Sequence, residues 1–411
     1  MSNPVFDIDN WREIGATLAQ NKTRTLMTAF GIFWGTAILA ILIGGADGFR
    51  NFMGMKFQGF ATNMGLLWPN RTTKPYAGFN KGRTFNFSVK DAEQIRNSVD
   101  GIDAFSVANN FGATAMYGTR SSSVTFSGVQ SDYSRIIIPV IYEGRFLNAS
   151  DDAMGRKVCV IGKRVAGDLF GVGSAVGKEI SVNGIYYKVV GVAGQSSSDV
   201  SIMGTIDDSV IISNDNLRRS YNLGDNVGFI MFTAKPGFTP SQLKDDMMRI
   251  VSRNHLVAPD DTGAVYMFDV SEQFAMLDNL MLGINLLALF VGLGTLLSGV
   301  VGVGNIMWII VRERTQEIGI RRAIGAKPRD IVMQILSEGI VLTLVAGLAG
   351  ITFAAIVLGV VQMVLAPVHF QMSFATAITI LAAFIVLGTL AGLVPSLKAM
   401  RIKPIEALNS K

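Results

Sequence analysis

The residues of this chain that could do covalent or metal chemistry are few and scattered. Its one cysteine, Cys159, lies in the apolar run 158–161, which is typical of a buried core thiol and not of a nucleophile. Its two histidines, His255 and His369, are far apart in sequence and lack the spacing of a metal site. The sequence therefore predicts no catalytic centre and no bound metal in this chain.

A glycine-rich stretch at residues 171–179, GVGSAVGKE, is the nearest approach to a phosphate-binding loop. Such a loop requires the pattern GxxxxGK[ST]. Val172 occupies the position of the first glycine, and Glu179 replaces the Ser or Thr that would bind magnesium. We therefore expect that any ATP and magnesium involved in the function are bound by a partner protein, and that this chain holds no cofactor.

The most informative cluster is a dense run of charges at residues 312–338, with six basic and four acidic side chains. No Asp, Glu, Lys or Arg occurs at 279–311 or at 339–397. A charged loop between two membrane spans is a place where a cytosolic protein could hold the membrane part. Acidic residues contribute little to membrane orientation, so their presence speaks against a loop that only sets topology.

The apolar segments around this loop are long enough to cross a bilayer. The chain is 49% hydrophobic and 16% charged, with a mean hydropathy of +0.39, which is too apolar for an ordinary soluble domain. A hydrocarbon core of about 30 Å needs about 20 helical residues. The charge-free runs at 25–46, 279–311 and 339–397 therefore predict one, one and two spans, and the second run exceeds the need of a single span.

The distribution of charge predicts the orientation. Residues 1–24, 312–338 and 398–411 hold 13 of the 36 basic and 8 of the 31 acidic residues, so their excess equals the net charge of +5. The positive-inside rule then places both termini and the charged loop in the cytosol, and the large domain outside. The basic balance is thus a topology signal, and no basic stripe indicates a nucleic-acid partner.

The expected fold is an α-helical membrane protein with four transmembrane helices plus an α+β extracytoplasmic domain. That domain alternates helical and strand-like segments, and Ser88 to Asp91 has the spacing of a capping box. We expect a helix–strand, porter-like part with a β-rich inserted subdomain. The predicted divisions are an amphipathic cytosolic helix 1–23, a first span 24–46, a periplasmic domain 47–278 (porter-like 60–110 and 225–270, insertion 111–222), a stalk and second span 279–311, a cytosolic coupling loop 312–338, a third span 339–365, a periplasmic turn 366–372, a fourth span 373–395 and a cytosolic tail 396–411.

Small residues recur at four-residue steps within the first two spans. Such a spacing places them on one helix face, where they allow helix backbones to approach closely in lipid. Packing within the chain and dimerisation explain the pattern equally well. The candidate packing residues are Gly31, Gly35, Gly294, Ser298 and Gly302.

Several of these stretches resemble the MacB/FtsX-type ABC permease family. The resemblance rests first on residues 297–307 (LSGVVGVGNIM) and 312–326 (RERTQEIGIRRAIGA), and then on 395–399 and 403–408 near the C-terminus. Residues 169–171, 176–180 and 189–192 are similar to the family's periplasmic core domain, and residues 21–26 to its approach to the first span.

The resemblance implies four spans per chain, a dimer, and a cytosolic ABC ATPase dimer. Because the first span begins about twenty residues into the chain, we expect a stand-alone permease subunit without a fused ATPase domain. The family also implies mechanotransmission, in which ATP-driven closure of the ATPases moves the external domains. The second permease chain could be identical or related, and a periplasmic adaptor and outer-membrane exit duct could complete the path.

The same resemblance makes part of the loop the expected coupling helix. Its isoleucines could enter a groove on the ATPase, while Glu317, Arg321 and Arg322 fix the register. Export of antibiotics, peptides or toxins is the leading function; extraction of lipoproteins, or FtsX-like regulation of a cell-wall hydrolase, are the alternatives. The predicted coupling residues are Gln316, Glu317, Ile318, Gly319, Ile320, Arg321, Arg322, Ala323, Ile324, Gly325 and Ala326.

Overall fold

A computed structural model describes residues 22–195, 204–365 and 370–399 of the chain. The chain divides into two compact units. We call Met1–Met53 with Asn279–Lys411 the helical unit, and Gly54–Asp278 the sheet unit. Most of the predicted helix at 1–23, most of the predicted tail, and residues 366–369 of the predicted turn lie outside the described residues, so these predictions stay as they are.

Short helices and strands alternate through the sheet unit, whereas the described part of the helical unit contains long helices and the short helix at residues 315–323. In chain order the helices are α1 (Lys22–Lys56), α2 (Val89–Ser98), α3 (Tyr133–Ile136), α4 (Ala149–Ala153), α5 (Lys163–Phe170), α6 (Asn214–Ser220), α7 (Pro240–His255), α8 (Val270–Glu313), α9 (Thr315–Ala323), α10 (Pro328–Val364) and α11 (Phe374–Ala399). The strands are β1 (Met64–Pro69), β2 (Phe87–Ser88), β3 (Ile102–Tyr117), β4 (Arg120–Val129), β5 (Val140–Gly144), β6 (Val158–Gly162), β7 (Glu179–Val182), β8 (Ile185–Gly194), β9 (Ser209–Ser213), β10 (Asn226–Val227), β11 (Phe229–Ala234) and β12 (Val265–Asp269).

Four of the described helices, α1, α8, α10 and α11, are long and apolar enough to cross a membrane. Each of the four extends beyond the corresponding predicted span at one end or at both. The 44 residues of α8 have a length of about 66 Å at 1.5 Å per residue, roughly twice the hydrocarbon thickness. The spans were predicted from charge-free runs, which correspond only to the part of a helix that lipid can cover. Hydropathy does not detect the polar turns that continue the helix at either end.

The sheet unit is built on one ten-stranded sheet with the order β12-β1-β11-β3-β4-β9-β6-β8-β5, and β7 pairs with β3 and β8. The 16-residue β3 is its central element: Ala104 to Ala108 face β11, and Ala108 to Tyr117 face β4. The porter-like and β-rich halves therefore share a continuous strand. One core, around Phe87 and Phe232, lies in the porter-like half, and one, around Phe126 and Tyr187, lies in the β-rich half. A third core, which includes Met64 and Ile211, combines residues of both halves.

Several predictions for individual elements are confirmed. The strand-like segments expected in the external domain include residues 158–161, 179–182, 186–192 and 210–212, and these lie within β6, β7, β8 and β9. Ser88 and Asp91 form the predicted capping box at the start of α2. The box satisfies two backbone donors that the first turn of a helix would otherwise leave unpaired.

Asp91 does more than cap α2, because it also holds the end of α7. Its carboxylate lies 2.6 Å from Nε2 of His255 and accepts a hydrogen bond of 2.6 Å from Asn254. Burial acts to raise the pKa of Asp91, but the hydrogen bonds from His255, Ser88 and Asn254 outweigh it and lower the pKa below the ordinary 3.8. The ionised carboxylate therefore stabilises the sheet unit.

The sign of the shift predicts a pH dependence. Because the folded pKa is depressed, this stabilisation is present above about pH 3.8 and is lost as the pH falls through the folded pKa. We expect Asp91→Asn to lower the melting temperature at pH 7 and to flatten the loss of stability in acid, measured by tryptophan fluorescence. Asp100→Asn, at an exposed carboxylate after α2, is the control and should leave both unchanged. An unaltered acid limb in Asp91→Asn would contradict the assignment.

Candidate coupling site

The charged loop folds into a helical turn between two long helices. α8 ends at Glu313, α9 covers Thr315–Ala323, and α10 begins at Pro328. Gly325 allows the reversal, because its φ of 103° is accessible to glycine at little cost. Proline at the first helical position lacks only a donor that would be unpaired there anyway, so it favours the start of α10.

A network of charged and amide side chains connects α9 to the neighbouring helix α10. Arg314 donates to Oε1 of Glu338 at 3.0 Å, and Glu338 is almost fully buried, with 1% of its side chain exposed. Glu317 pairs with Arg321 at 2.7 Å and approaches Arg314 at 3.6 Å. Arg321 in turn donates to Gln334 on α10 at 2.7 Å. The network therefore fixes α9 against α10.

The structure divides α9 into an inner and an outer face. Glu317, Ile318 and Arg321 are on the inner face, where a cleft is lined by Ile310 of α8 and by α10 side chains. The outer face follows helical spacing and is exposed. We call it the outer face of α9, and its residues are Gln316, Ile320, Ala323 and Ile324.

This division corrects the expectation that all three isoleucines are available to a partner. Ile318 is 6% exposed and packs in the apolar core of the helical unit, so it cannot also insert into another protein. Ile320 and Ile324 are 47% and 83% exposed. Glu317 and Arg321 likewise have partners within the chain: they pair with each other, and Arg321 also donates to Gln334 of α10. A coupling role for residues 316–326 remains a prediction.

Sequence reasoning missed three members of the network: Arg314, Gln334 and Glu338. Arg314 and Glu338 are 24 positions apart, and no local pattern joins them. A signal did exist on α10, where Gln334 and Glu338 lie four residues apart and thus on one helix face. An acid next to a long apolar run is also unusual unless it is paired.

The predicted packing glycines separate into two groups. A Cβ on Gly35 would lie 2.8 Å from Cβ of Thr295, and one on Gly302 would lie 3.1 Å from Cγ2 of Thr28. These two therefore allow α1 and α8 to pack closely. Among the described residues, no atom lies within 4 Å of a Cβ added at Gly31 or Gly294, and Ser298 is exposed. The part of these three residues in helix packing or in a dimer stays a prediction.

Nothing among residues 22–195, 204–365 and 370–399 forms a group of three His, Cys, Asp or Glu side chains that could hold a metal ion. Cys159 is fully buried, and burial raises the pKa of its thiol. His255 lies against Asp91, whereas His369 is outside the described residues.

Comparison with known proteins identifies the class. Residues 25–250 match the MacB-like periplasmic core domain, and residues 289–404 match the FtsX-like permease C-terminal region. The chain therefore belongs to the MacB/FtsX-type ABC transporter permease family, as its loop motif predicted. With four long apolar helices and an α+β domain of periplasmic type, the predicted fold class is confirmed, and the chain is a multi-pass inner-membrane protein.

Its relatives are described as export proteins. The macrolide export ATP-binding/permease protein MacB of Bdellovibrio bacteriovorus is 27% identical over 405 residues, which cover 95% of this chain and 60% of that protein. The pyoverdine export ATP-binding/permease protein PvdT of Pseudomonas fluorescens is 28% identical over 401 residues, covering 95% and 58%. The chain thus spans about three fifths of the length of these relatives. The solved periplasmic region of MacB from Actinobacillus actinomycetemcomitans is similar with 13% identity and a TM-score of 0.43, covering 54% of this chain and 96% of that one.

Proposed function

We propose that this chain is the membrane part of an ABC exporter that works by mechanotransmission. A cytosolic ATPase binds ATP and magnesium, docks on the outer face of α9, and passes its closure through the long helices to the sheet unit. The observation that carries the proposal is the combination of a braced inner face and an exposed apolar outer face on one short helix.

The bracing matters because a coupling element must transmit force without yielding. α9 is held by ion pairs that reach a buried acid on α10, so a push on its outer face reaches α10 as well as α8. Ile320 and Ile324 supply apolar area for a groove on the ATPase. Charged contacts at the rim, including Arg322, would then select the partner.

The proposed orientation places both termini and α9 in the cytosol and the sheet unit in the periplasm. The excess of basic residues at 1–24, 312–338 and 398–411 supports it. Trp308 and Lys398 agree with a membrane–water interface near these ends of α8 and α11, since Lys398 Nζ lies 3.9 Å from the centre of the Trp308 ring. Tryptophan and lysine are typical of the membrane–water interface.

A second permease chain, identical or related, is the proposed partner within the membrane. The face of α8 opposite α1 carries a continuous exposed apolar stripe, which needs cover where it extends beyond the lipid. The large members of this stripe are Met276, Leu280, Leu287, Phe290, Leu297 and Val301, and each is about half exposed or more.

For the cargo, we propose antibiotics, peptides or toxins taken from the periplasm through an adaptor and an outer-membrane duct. The names of the relatives, macrolide and pyoverdine export proteins, support small natural products. Extraction of lipoproteins and FtsX-like regulation of a cell-wall hydrolase are the alternatives. Export, extraction and regulation differ in the periplasmic protein that should accompany the chain.

The test is purification of the intact chain from its native membrane, with ATP hydrolysis and co-eluting proteins as readouts. Ile320→Glu and Ile324→Glu should each weaken retention of the ATPase about tenfold, because a charge replaces apolar contact area. Val172→Glu, at a fully exposed position of the sheet unit, is the matched control.

The accompanying proteins decide among the cargo proposals. An adaptor and a duct support export, a lipoprotein chaperone supports extraction, and a hydrolase supports regulation. Wild-type chain without any ATPase, or equal retention by both glutamate variants and the control, would refute the coupling proposal.

A further inference from the structure

The joint between the sheet and the longest helix is a single residue. Asp269 is the last residue of β12, and α8 begins at the next position, Val270. Asp269 is only 3% exposed. A carboxylate this deeply buried needs several donors around it.

The two oxygens of Asp269 serve two different helices. Oδ1 accepts from the backbone N–H groups of Ser271 at 2.8 Å and Glu272 at 3.2 Å, and from Oγ of Ser271 at 2.6 Å. Oδ2 accepts from N and Oγ of Ser241 in the first turn of α7, at 2.9 and 2.6 Å. An ordinary N-cap bonds only its own helix, whereas this one also holds a helix that starts 29 residues earlier in sequence.

The residues around Asp269 and Val270 are closely packed. Gly65 of β1 pairs with Asp269, and a Cβ at Gly65 would lie within 3.0 Å of Pro240 and nearer still to the Phe232 ring. Val270 is fully buried. One turn further along α8, the Phe274 ring lies 5.6 Å from Phe57, centre to centre. Polar and apolar contacts thus fix the first turns of α8 against α7 and β1.

We propose that Asp269 is a positioning residue that locks α8 to α7, so that displacement of α8 is carried into the α7 side of the sheet unit. The functional part of this inference rests on the proposed mechanotransmission. Its physical basis is that hydrogen bonds to a charged acceptor are about twice as strong as neutral ones, and five converge on one carboxylate. Both helix N-termini also point their partial positive charge at it.

The joint can be tested by the distance between spin labels at Arg253→Cys on α7 and Ala275→Cys on α8, in the full chain. Both positions are exposed, Cys159 is buried and stays unlabelled, and dilution with unlabelled chain isolates intrachain distances. We expect one narrow distribution in the parent and a width about twofold larger in Asp269→Ala, since loss of the shared acceptor frees the helices. Ser241→Ala keeps the cap of α8 and should give an intermediate width.

Asp245→Asn, at an exposed carboxylate on the same helix α7, is the control and should change nothing. If the distance distribution in Asp269→Ala kept the width of the parent, Asp269 would not hold α8 to α7, even if the variant were less stable. In a transport assay, Asp269→Ala should lower ATP-dependent export about tenfold while ATP hydrolysis stays within about twofold. Unimpaired export with a broadened distance would overturn the transmission role. A wild-type chain without any ATP-dependent export would refute the proposed function. The spin-label distances would still show whether Asp269 holds α8 to α7.

Discussion

Replacing Arg314 with alanine is expected to destabilise the helical unit by about 3 kcal/mol, the typical cost of removing one member of a buried ion pair. The carboxylate of Glu338 is 1% exposed and would lose the guanidinium that lies 3.0 Å from it. Arg314 also approaches Glu317, so α9 would lose part of its hold on α10. The measurement is the apparent melting temperature of the purified full chain in detergent.

A double variant separates the charge from the shape of this pair. Arg314→Met combined with Glu338→Met should recover most of the lost stability, because two apolar side chains replace a buried ion pair at little net cost. Arg329→Ala, at an exposed base at the start of α10, is the control and should lie within about 0.5 kcal/mol of wild type. If Arg314→Ala and Arg329→Ala have the same melting temperature, the Arg314–Glu338 pair does not hold α9 against α10.

Replacing Gly350 with alanine is expected to be similarly harmful, by about 2–3 kcal/mol, through overpacking. A Cβ at Gly350 of α10 would lie 2.5 Å from the carbonyl oxygen of Phe33 on α1 and nearer still to Oγ1 of Thr36. Backbone cannot move aside as a flexible side chain can, so α1 and α10 would have to separate. The readout is again the melting temperature, together with the yield of monodisperse protein.

The chain offers a closely matched control on the same helix. Among the described residues, no atom lies within 4 Å of a Cβ added at Gly359. Gly359→Ala should therefore be neutral or slightly stabilising, since alanine favours helix more than glycine does. Adding Thr36→Ala to Gly350→Ala relieves only the hydroxyl overlap and should restore part of the loss. Equal stability of Gly350→Ala and Gly359→Ala would contradict the close approach of α1 and α10.

Much of the architecture was accessible from sequence because its signals are local. The charge-free runs predicted four spans, which match the four long apolar described helices. The spacing of Ser88 and Asp91 predicted the cap of α2, which the structure confirms. The motif at 312–326 predicted the family, which the comparisons confirm. Each of these signals depends on a residue and its near neighbours along one element.

The packing glycines show where such reasoning stops. Gly35 and Gly302 fit the same four-residue pattern as Gly31 and Gly294, yet within the described part of the chain only Gly35 and Gly302 lie against another helix. The close approach of Gly350 to α1 had no predicted pattern at all. A period defines a face of a helix, but which face meets which neighbour depends on the arrangement of all the helices.

The class of this protein, its long apolar helices and the segment that is expected to meet an ATPase follow from the sequence alone. The surroundings of each side chain in that segment follow only from the tertiary structure. It buries Ile318, exposes Ile320 and Ile324, and binds Arg314 to Glu338 across 24 positions. It likewise gives Asp269 a second helix to hold. The physical reason is that burial and ion pairing depend on contacts between elements remote in sequence, whereas hydropathy, capping and turn signals are properties of a single element.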